Sequence, residues 1–190
     1  ADSGVWRDAR PEIVTIVWNH RWEHDKNPEE FFSALHKIEQ LGVEFQLIVL
    51  GESFRKSPDC FVTARNYFSH RIKHWGFIQD YGAYFGLLGQ GDIVVSTAFH
   101  EFFGRSVLEA VRCGCIPILP DRLAYPELFP SKYLYSEGLL VNSLKKMITT
   151  YKRPSQNELH QLTDLYSWRV MKGDYDAWFD KVCGDIRSTA

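Results

Sequence analysis

The stretch Ile13-Val14-Thr15-Ile16-Val17-Trp18 is a short run of mainly β-branched residues, and it indicates the fold class. Such a run is typical of a strand buried on both faces, as in a parallel sheet covered by helices. A helix is predicted next, because Asn27-Pro28-Glu29-Glu30 supplies an N-cap, a proline in the first turn and acids at the positive helix end.

The same strand-then-helix pattern repeats along the chain. Further strands are predicted over residues 43–50, 72–76, 92–96 and 116–119, and helices over residues 80–90 and 104–113, with another opening at Ser57. From Glu137 the pattern predicts helices alone. Five strand–helix steps and a helical tail favour an α/β fold with a single Rossmann-like, doubly wound parallel sheet. We therefore expect a linker at residues 1–12, the Rossmann-like domain at 13–136, and C-terminal helices at 137–190 packed on that domain.

Composition excludes several classes of protein. Of 190 residues, 45% are hydrophobic and 15% aromatic, which is too apolar for a disordered chain. The net charge of −2 does not favour general electrostatic binding of nucleic acid. The apolar runs are far shorter than the about 20 residues needed to span a bilayer. Four cysteines are too few for a disulfide scaffold, so we expect reduced thiols and a cytoplasmic location.

The common phosphate-binding and metal-binding motifs give little support to other enzymes. Neither G-x-G-x-x-G nor G-x-x-x-x-G-K-[ST] occurs, which disfavours a nicotinamide dehydrogenase or a P-loop NTPase. Residues 20–24 fit the zinc-binding pattern H-x-x-E-H, but that pattern needs a helix, and here it directly follows a strand. We expect no metal site.

Two glutamates, Glu101 and Glu109, are separated by seven intervening residues at a predicted strand-to-helix junction. Gly104 at the helix start lets backbone amides face a ligand, as in phosphate sites at helix N-termini. A helix rises about 12 Å over eight residues, close to the distance between the sugar and the ribose of an extended sugar nucleotide. The alternative is an acidic first turn followed by one solvated glutamate.

Arg21 and Lys26 both lie in the loop after the first strand. Together they can neutralise a diphosphate leaving group, Arg through a planar fork and Lys as a point charge. The sequence has no D-x-D pair near this loop that would bind a metal ion to neutralise the diphosphate. This favours a metal-independent transferase. The alternative is a pair of ordinary solvated cations.

These residues resemble the C-terminal, donor-binding domain of family-4-type retaining glycosyltransferases of the GT-B class. The resemblance rests on Arg21 and Lys26, on Gly51, on the turn at residues 74–77, and on residues 101–117, and it extends from about residue 13 to residue 128. Residues 18–26, 97–104, 125–130 and 133–135 are also similar to the tRNA-queuosine mannosyltransferase subgroup. This implies GDP-mannose as the donor, queuosine in tRNA as the acceptor, and no cofactor.

The resemblance also implies residue roles. Arg21 and Lys26 would hold the diphosphate and Glu101 the hydroxyls of the donor sugar, and these three are the predicted catalytic residues. Glu109 would hold the ribose diol. The predicted donor-binding set further contains Asn19, Gly51, Trp75, Gly76, Phe77, Phe103 and Gly104, with the amides near Phe103 and Gly104 on the sugar and the turn at 75–77 along the nucleobase. Two positions depart from the family: Asn27 stands where a glycine is usual, and Phe102 where a small residue is usual.

The resemblance further implies a second lobe. GT-B enzymes close two Rossmann-like lobes around donor and acceptor, and one lobe accounts for this whole chain. Because both methionines lie deep in the sequence, we expect a processed protein or a piece of a longer one, which binds a nucleotide sugar but transfers it poorly alone. Three alternatives stay open: a related domain with another donor and a glycan or lipid acceptor, a non-catalytic nucleotide-sugar-binding module, and an interaction domain without a ligand.

Overall fold

A six-stranded, all-parallel sheet forms the centre of the molecule, in the order β3-β2-β1-β4-β5-β6. The computed structural model describes residues 11–52 and 57–188. The strands are β1 (Thr15–Asn19), β2 (Gln46–Leu50), β3 (Ile72–Gly76), β4 (Ile93–Val95), β5 (Ile116–Pro120) and β6 (Leu134–Tyr135). The predicted α/β fold class is confirmed.

Helices flank this sheet and follow the strands in sequence. They are α1 (Pro28–Gln40), α2 (Cys60–Tyr67), α3 (Tyr81–Leu88), α4 (Arg105–Arg112), α5 (Tyr125–Leu128), α6 (Leu140–Thr149), α7 (Gln156–Thr163) and α8 (Trp168–Ser188). A 3₁₀ turn at residues 24–26 precedes α1. The right-handed strand–helix–strand rule places these helices on both faces of the sheet.

Strand β1 is buried along its whole length because β2 and β4 pair with it on either side. Its register aligns Thr15 with Gln46 and Asn19 with Leu50, so β1 and β2 end together at one edge of the sheet. Trp18 is fully buried and packs against Phe31 of α1 and Phe61 of α2. The apolar run that predicts the strand is thus the middle of the core.

The sixth strand corrects the sequence prediction, in which residues 116–119 form the last strand. Strand β6 has only two residues, and it pairs Leu134 with Leu119 and Tyr135 with Pro120 of β5. A two-residue strand is too short to show a periodic apolar pattern, which explains why the sequence did not indicate it.

The C-terminal helices differ in how they contact the rest of the chain. Helix α6 packs against α1 and β5, and α7 packs against α4. Helix α8 instead exposes large apolar side chains, including Trp168, Trp178 and Phe179. The domain boundaries stay a prediction; within them, residues 1–10 of the expected linker and residues 189–190 of the tail lie outside the described residues.

Bilayer-spanning helices are absent from the described part of the chain, since none there is both long and apolar enough.

Candidate functional site

A cleft of about 740 Å³ opens at the carboxyl edge of the sheet, where α4 begins. In doubly wound folds this is the edge at which ligands bind. A smaller pocket of about 210 Å³ adjoins it, beside Leu50, Gly51, Glu52, Phe77 and Ile78. Six predicted site residues line the cleft: Asn19, Arg21, Lys26, Phe77, Glu101 and Glu109.

Lys26 is buried at the end of the 3₁₀ turn, with 7% of its surface exposed. Its Nζ donates to the carbonyl oxygen of His100 at 2.5 Å and to Oε2 of Glu101 at 3.3 Å. The next residue, Asn27, has a φ of 50°, in the left-handed region that glycine and asparagine tolerate best. This backbone conformation explains why asparagine is tolerated at a position where glycine is usual in the family that the sequence resembles.

The carboxylate of Glu101 is held from two sides. Its Oε1 accepts the backbone N–H of Gly104 at 2.9 Å and that of Phe103 at 3.4 Å, while Oε2 faces Lys26. Burial raises the pKa of Glu101, but the Gly104 amide and the Lys26 charge outweigh burial and keep the pKa below its usual value. The result is an ionised carboxylate in a fixed orientation at the start of α4.

Glu109, one turn into α4, is also held from two sides. Its Oε1 accepts from Nε of Arg105 at 2.8 Å, and its Oε2 accepts from the hydroxyl of Tyr84 at 2.9 Å. Tyr84 belongs to α3, and sequence reasoning did not single it out as a site residue. Its contact with Glu109 depends on the packing of α3 beside α4, which no local motif reveals.

Asn19 ends β1 beneath the cleft, and His20 directly follows the strand. Nδ2 of Asn19 donates to the carbonyl oxygen of Ser106 at 2.7 Å and to the hydroxyl of Tyr84 at 3.1 Å. The buried Oδ1 of Asn19 has no hydrogen-bond partner in the described residues. His20 is 4% exposed, and burial, assisted by the Lys26 charge, lowers its pKa to about 4. Its imidazole is therefore neutral at pH 7.

Arg21 is the exposed cation of the site. Its side chain is 56% exposed to solvent and lines the cleft. Its Nη2 lies 3.3 Å from Oδ2 of Asp25, a surface ion pair that contributes little to stability. The guanidinium can therefore exchange this carboxylate for the oxygens of a bound anion without a large loss.

Gly51 lets two chain segments approach closely beside the small pocket. Its φ is 119°, and a Cβ at this position would lie 2.1 Å from the carbonyl oxygen of His20. Its amide donates to the carbonyl oxygen of Gly76 at 3.3 Å, and Phe77, half exposed, continues the wall of both pockets. Gly51, Gly76 and Phe77 thus meet where the turns after β2 and β3 come together.

Two predicted site residues point their side chains elsewhere. The ring of Trp75 stacks on Phe32 and meets the edge of Trp22 in an aromatic cluster next to the core. The ring of Phe103 contacts Tyr166, although its amide faces Glu101. Gly104 has a φ of 77°, and a Cβ there would lie 3.2 Å from the ring of Tyr125. Their roles toward a ligand stay predictions.

The two histidines of the H-x-x-E-H pattern occupy different surroundings. His20 is buried against the ring of Trp18, with its Nδ1 3.3 Å from Oγ of Ser106. The side chain of His24 is exposed and lies beside Glu29. The rings do not share one helix face, which that zinc motif requires.

The sequence model for glycosyl transferases group 1 matches residues 8–149. The chain belongs to this family. The resemblance to family-4-type enzymes is thereby confirmed. The chain is 37% identical, over 146 residues and 77% of its length, to the tRNA-queuosine alpha-mannosyltransferase of Drosophila melanogaster. It is 23% identical, over 96% of its length, to a GDP-mannose-dependent alpha-(1-6)-phosphatidylinositol dimannoside mannosyltransferase of Mycobacterium tuberculosis. It spans 38% and 49% of these curated relatives.

Solved structures agree with the fold. The chain superimposes on sucrose-phosphate synthase from Thermosynechococcus elongatus with a TM-score of 0.73 at 16% identity. The match covers 92% of this chain and 46% of that structure.

Proposed function

We propose that this chain is the nucleotide-sugar-binding lobe of a retaining mannosyltransferase, with GDP-mannose as donor and queuosine in tRNA as acceptor. The Drosophila relative supports the donor sugar and the acceptor through its name. Under this proposal a second lobe completes the acceptor side, and the reaction takes place in the cytoplasm.

The observation that carries this proposal is the placement of two fixed carboxylates, Glu101 and Glu109, and two cations, Arg21 and Lys26, around one cleft. Carboxylates accept hydrogen bonds from sugar hydroxyls, and the cations complement a diphosphate. Glu109 would take the ribose diol and Glu101 the mannose hydroxyls. The diphosphate would lie between these two carboxylates, next to Lys26 and within reach of Arg21.

The proposed reaction keeps the configuration of the mannose. The bond between the anomeric carbon and the phosphate oxygen breaks through an oxocarbenium-like state, and the acceptor oxygen bonds to that carbon on the same face. The acceptor proton passes to the departing phosphate oxygen. Arg21 and Lys26 stabilise the negative charge that develops on the diphosphate, which is electrostatic catalysis by preorganised groups. No side-chain nucleophile is required.

The small pocket beside the cleft is where the nucleobase would lie. Its walls are largely apolar, from Leu50, Phe77 and Ile78, and Glu52 is the acidic residue among those that line it. Guanine presents two neighbouring N–H donors on one edge, which a carboxylate can accept together. Uracil presents one donor between two carbonyl oxygens, so the Glu52 carboxylate suits it less well. This supports GDP over UDP.

The mycobacterial relative supports a second candidate acceptor, because its name gives a phosphatidylinositol mannoside as the substrate of that protein. Both relatives are mannosyltransferases by name, and the name of the mycobacterial relative gives GDP-mannose as its donor, so the two names differ mainly in the acceptor. Transfer of radiolabelled mannose to queuosine-containing tRNA, compared with tRNA that lacks queuosine and with lipid vesicles, separates these acceptors.

Nucleotide binding is tested by thermal unfolding of the 190-residue chain with GDP, GDP-mannose, UDP or ADP. A ligand at about 100 times its Kd stabilises a protein by about 2.7 kcal/mol, which at this size raises Tm by several degrees. We expect that shift with GDP and GDP-mannose, its reduction in Glu109→Gln, and its retention in the control Glu127→Gln on the exposed surface of α5. A chain whose Tm none of the four nucleotides raises would contradict the proposal.

A further inference from the structure

Tyr84 lies at the centre of a hydrogen-bond network that joins three elements of the fold. In this network Nδ2 of Asn19 donates to the Ser106 carbonyl oxygen and to the Tyr84 hydroxyl, and that hydroxyl donates to Oε2 of Glu109. It therefore connects the end of β1, helix α3 and helix α4 beneath the cleft.

The Ser106 carbonyl determines which group donates in each hydrogen bond of this network. A backbone carbonyl can only accept, so the Asn19 atom at 2.7 Å from Ser106 O is the amide nitrogen, and the orientation of that amide is fixed. The same nitrogen donates to Tyr84, whose hydroxyl proton is then directed to the Glu109 carboxylate. Oδ1 of Asn19 is left as a buried acceptor without a partner in the described residues, on a residue that lines the cleft.

The Glu109 carboxylate is thus immobilised before any ligand arrives. Tyr84 holds Oε2 and Arg105 holds Oε1, at 2.9 and 2.8 Å, and each oxygen keeps a lone pair for a further donor. Arg105 is largely exposed, whereas Tyr84 is partly buried against α4, so Tyr84 is the more rigid of the two supports. A preorganised acceptor binds hydroxyl donors more tightly than one that must be ordered on binding.

We infer that Tyr84 is a positioning residue: by holding Oε2 of Glu109 it keeps this carboxylate oriented as a fixed acceptor that selects ligands with a free ribose 2′,3′-diol. This inference rests on the proposed function, because it takes the ribose of a nucleoside diphosphate as the group that Glu109 holds. It adds a residue to the site, and it assigns to that residue the selection between ribose and deoxyribose.

The test is isothermal titration calorimetry of the 190-residue chain with GDP and with 2′,3′-dideoxy-GDP. We expect the wild-type chain to bind GDP at least tenfold more tightly, since the dideoxy analogue lacks both hydroxyls that would donate to the charged Glu109 carboxylate. Tyr84→Phe keeps the ring and removes only the hydroxyl, and we expect it to reduce the GDP preference about tenfold. The control Tyr175→Phe, on α8, should keep the wild-type ratio.

The outcomes separate this inference from the proposed function. If the wild-type chain binds neither nucleotide, both the proposed function and this inference are contradicted. If it binds GDP but Tyr84→Phe leaves the ratio of the two dissociation constants within about twofold of wild type, or increases it, the inference alone is contradicted. A merely structural role of Tyr84 would weaken both nucleotides equally and leave the ratio unchanged, and that result also overturns the inference.

Discussion

Nζ of Lys26 lies 3.3 Å from Oε2 of Glu101, and both side chains are largely withdrawn from solvent. Removing two charges from water is unfavourable unless each finds good partners, and here the carbonyl of His100 and the amide of Gly104 supply them. The pair joins the loop after β1 to the loop before α4. It therefore builds the part of the cleft in which the diphosphate would lie, and it orients Glu101 before a ligand binds.

Replacing Lys26 should destabilise the chain. Lys26→Met leaves the Glu101 carboxylate without its cation, and we expect the free energy of unfolding to fall by about 2–3 kcal/mol, somewhat less than for a fully buried pair. The double variant Lys26→Met/Glu101→Gln should regain part of this loss, because it removes the unpaired charge. Urea unfolding measures both.

Lys37→Met, at an exposed position of α1, is the matched control and should stay within about 0.5 kcal/mol of wild type. If Lys26→Met were equally harmless, the pair would have no structural role.

Gly51 should tolerate no side chain. In Gly51→Ala the methyl group would meet the backbone oxygen of His20 at 2.1 Å, and the φ of 119° is strained for any L-residue. We expect a loss of about 3 kcal/mol or more, seen as a clear drop in Tm.

The comparison is Gly86→Ala, inside α3, where a methyl group meets nothing within 4 Å. This variant should be neutral or stabilise by up to about 1 kcal/mol, since alanine favours a helix over glycine. Equal effects of the two substitutions would refute the close approach at Gly51.

His20 should make stability depend on pH below neutrality. Its pKa falls from 6.5 to about 4 on folding because burial disfavours the imidazolium, so between these values the unfolded chain binds more protons than the folded one. Above pH 6.5 the His20 ring is neutral in both states, and the free energy of unfolding is not reduced by protonation of His20. As pH falls from 6.5 toward 4, the ring is protonated in the unfolded chain first, and the free energy of unfolding decreases. We expect this to amount to about 3 kcal/mol.

The measurement is the free energy of unfolding in urea at pH 7.5 and at pH 4.5. His20→Asn should show a difference between the two pH values about 2–3 kcal/mol smaller than wild type. His24→Asn, at an exposed ring, should keep the wild-type difference. A His20→Asn profile parallel to wild type would contradict the prediction.

Glu52 should contribute to nucleobase selection. We expect Glu52→Gln to lower the preference for GDP over UDP about tenfold, because the amide replaces one of the two acceptor oxygens with a donor that faces a guanine N–H. Calorimetric titration with each nucleotide gives the ratio. The affinity for UDP is the internal control, since a general disturbance of the pocket would lower the affinity for both nucleotides. An equal loss of affinity for GDP and UDP would contradict a role of Glu52 in base recognition.

The sequence predicted well what depends on local pattern. The apolar run at 13–18 and the capped helix that begins at Pro28 both appear in the structure, because their periodicity and caps arise within a few residues. The placement of Glu101 and Glu109 beside one cleft also follows from strand order at the carboxyl edge of the sheet.

What the sequence did not predict depends on packing between distant segments. Lys26 resembles a solvated cation by type, yet the loop before α4 buries it. Tyr84 enters the site because α3 lies against α4, and Trp75 joins an aromatic cluster with residues of α1 and α2. Contacts of this kind join residues at least 14 positions apart, where no motif spacing applies.

The central claim is that this cleft binds a nucleoside diphosphate through its diphosphate cations, and calorimetric titration of the 190-residue chain with GDP and with guanosine tests it. We predict that GDP binds at least tenfold more tightly than guanosine, and that Arg21→Ala removes most of this difference while Arg65→Ala, at an exposed position of α2, preserves it. Equal affinity of the wild-type chain for GDP and guanosine, or no binding of either, would contradict the account.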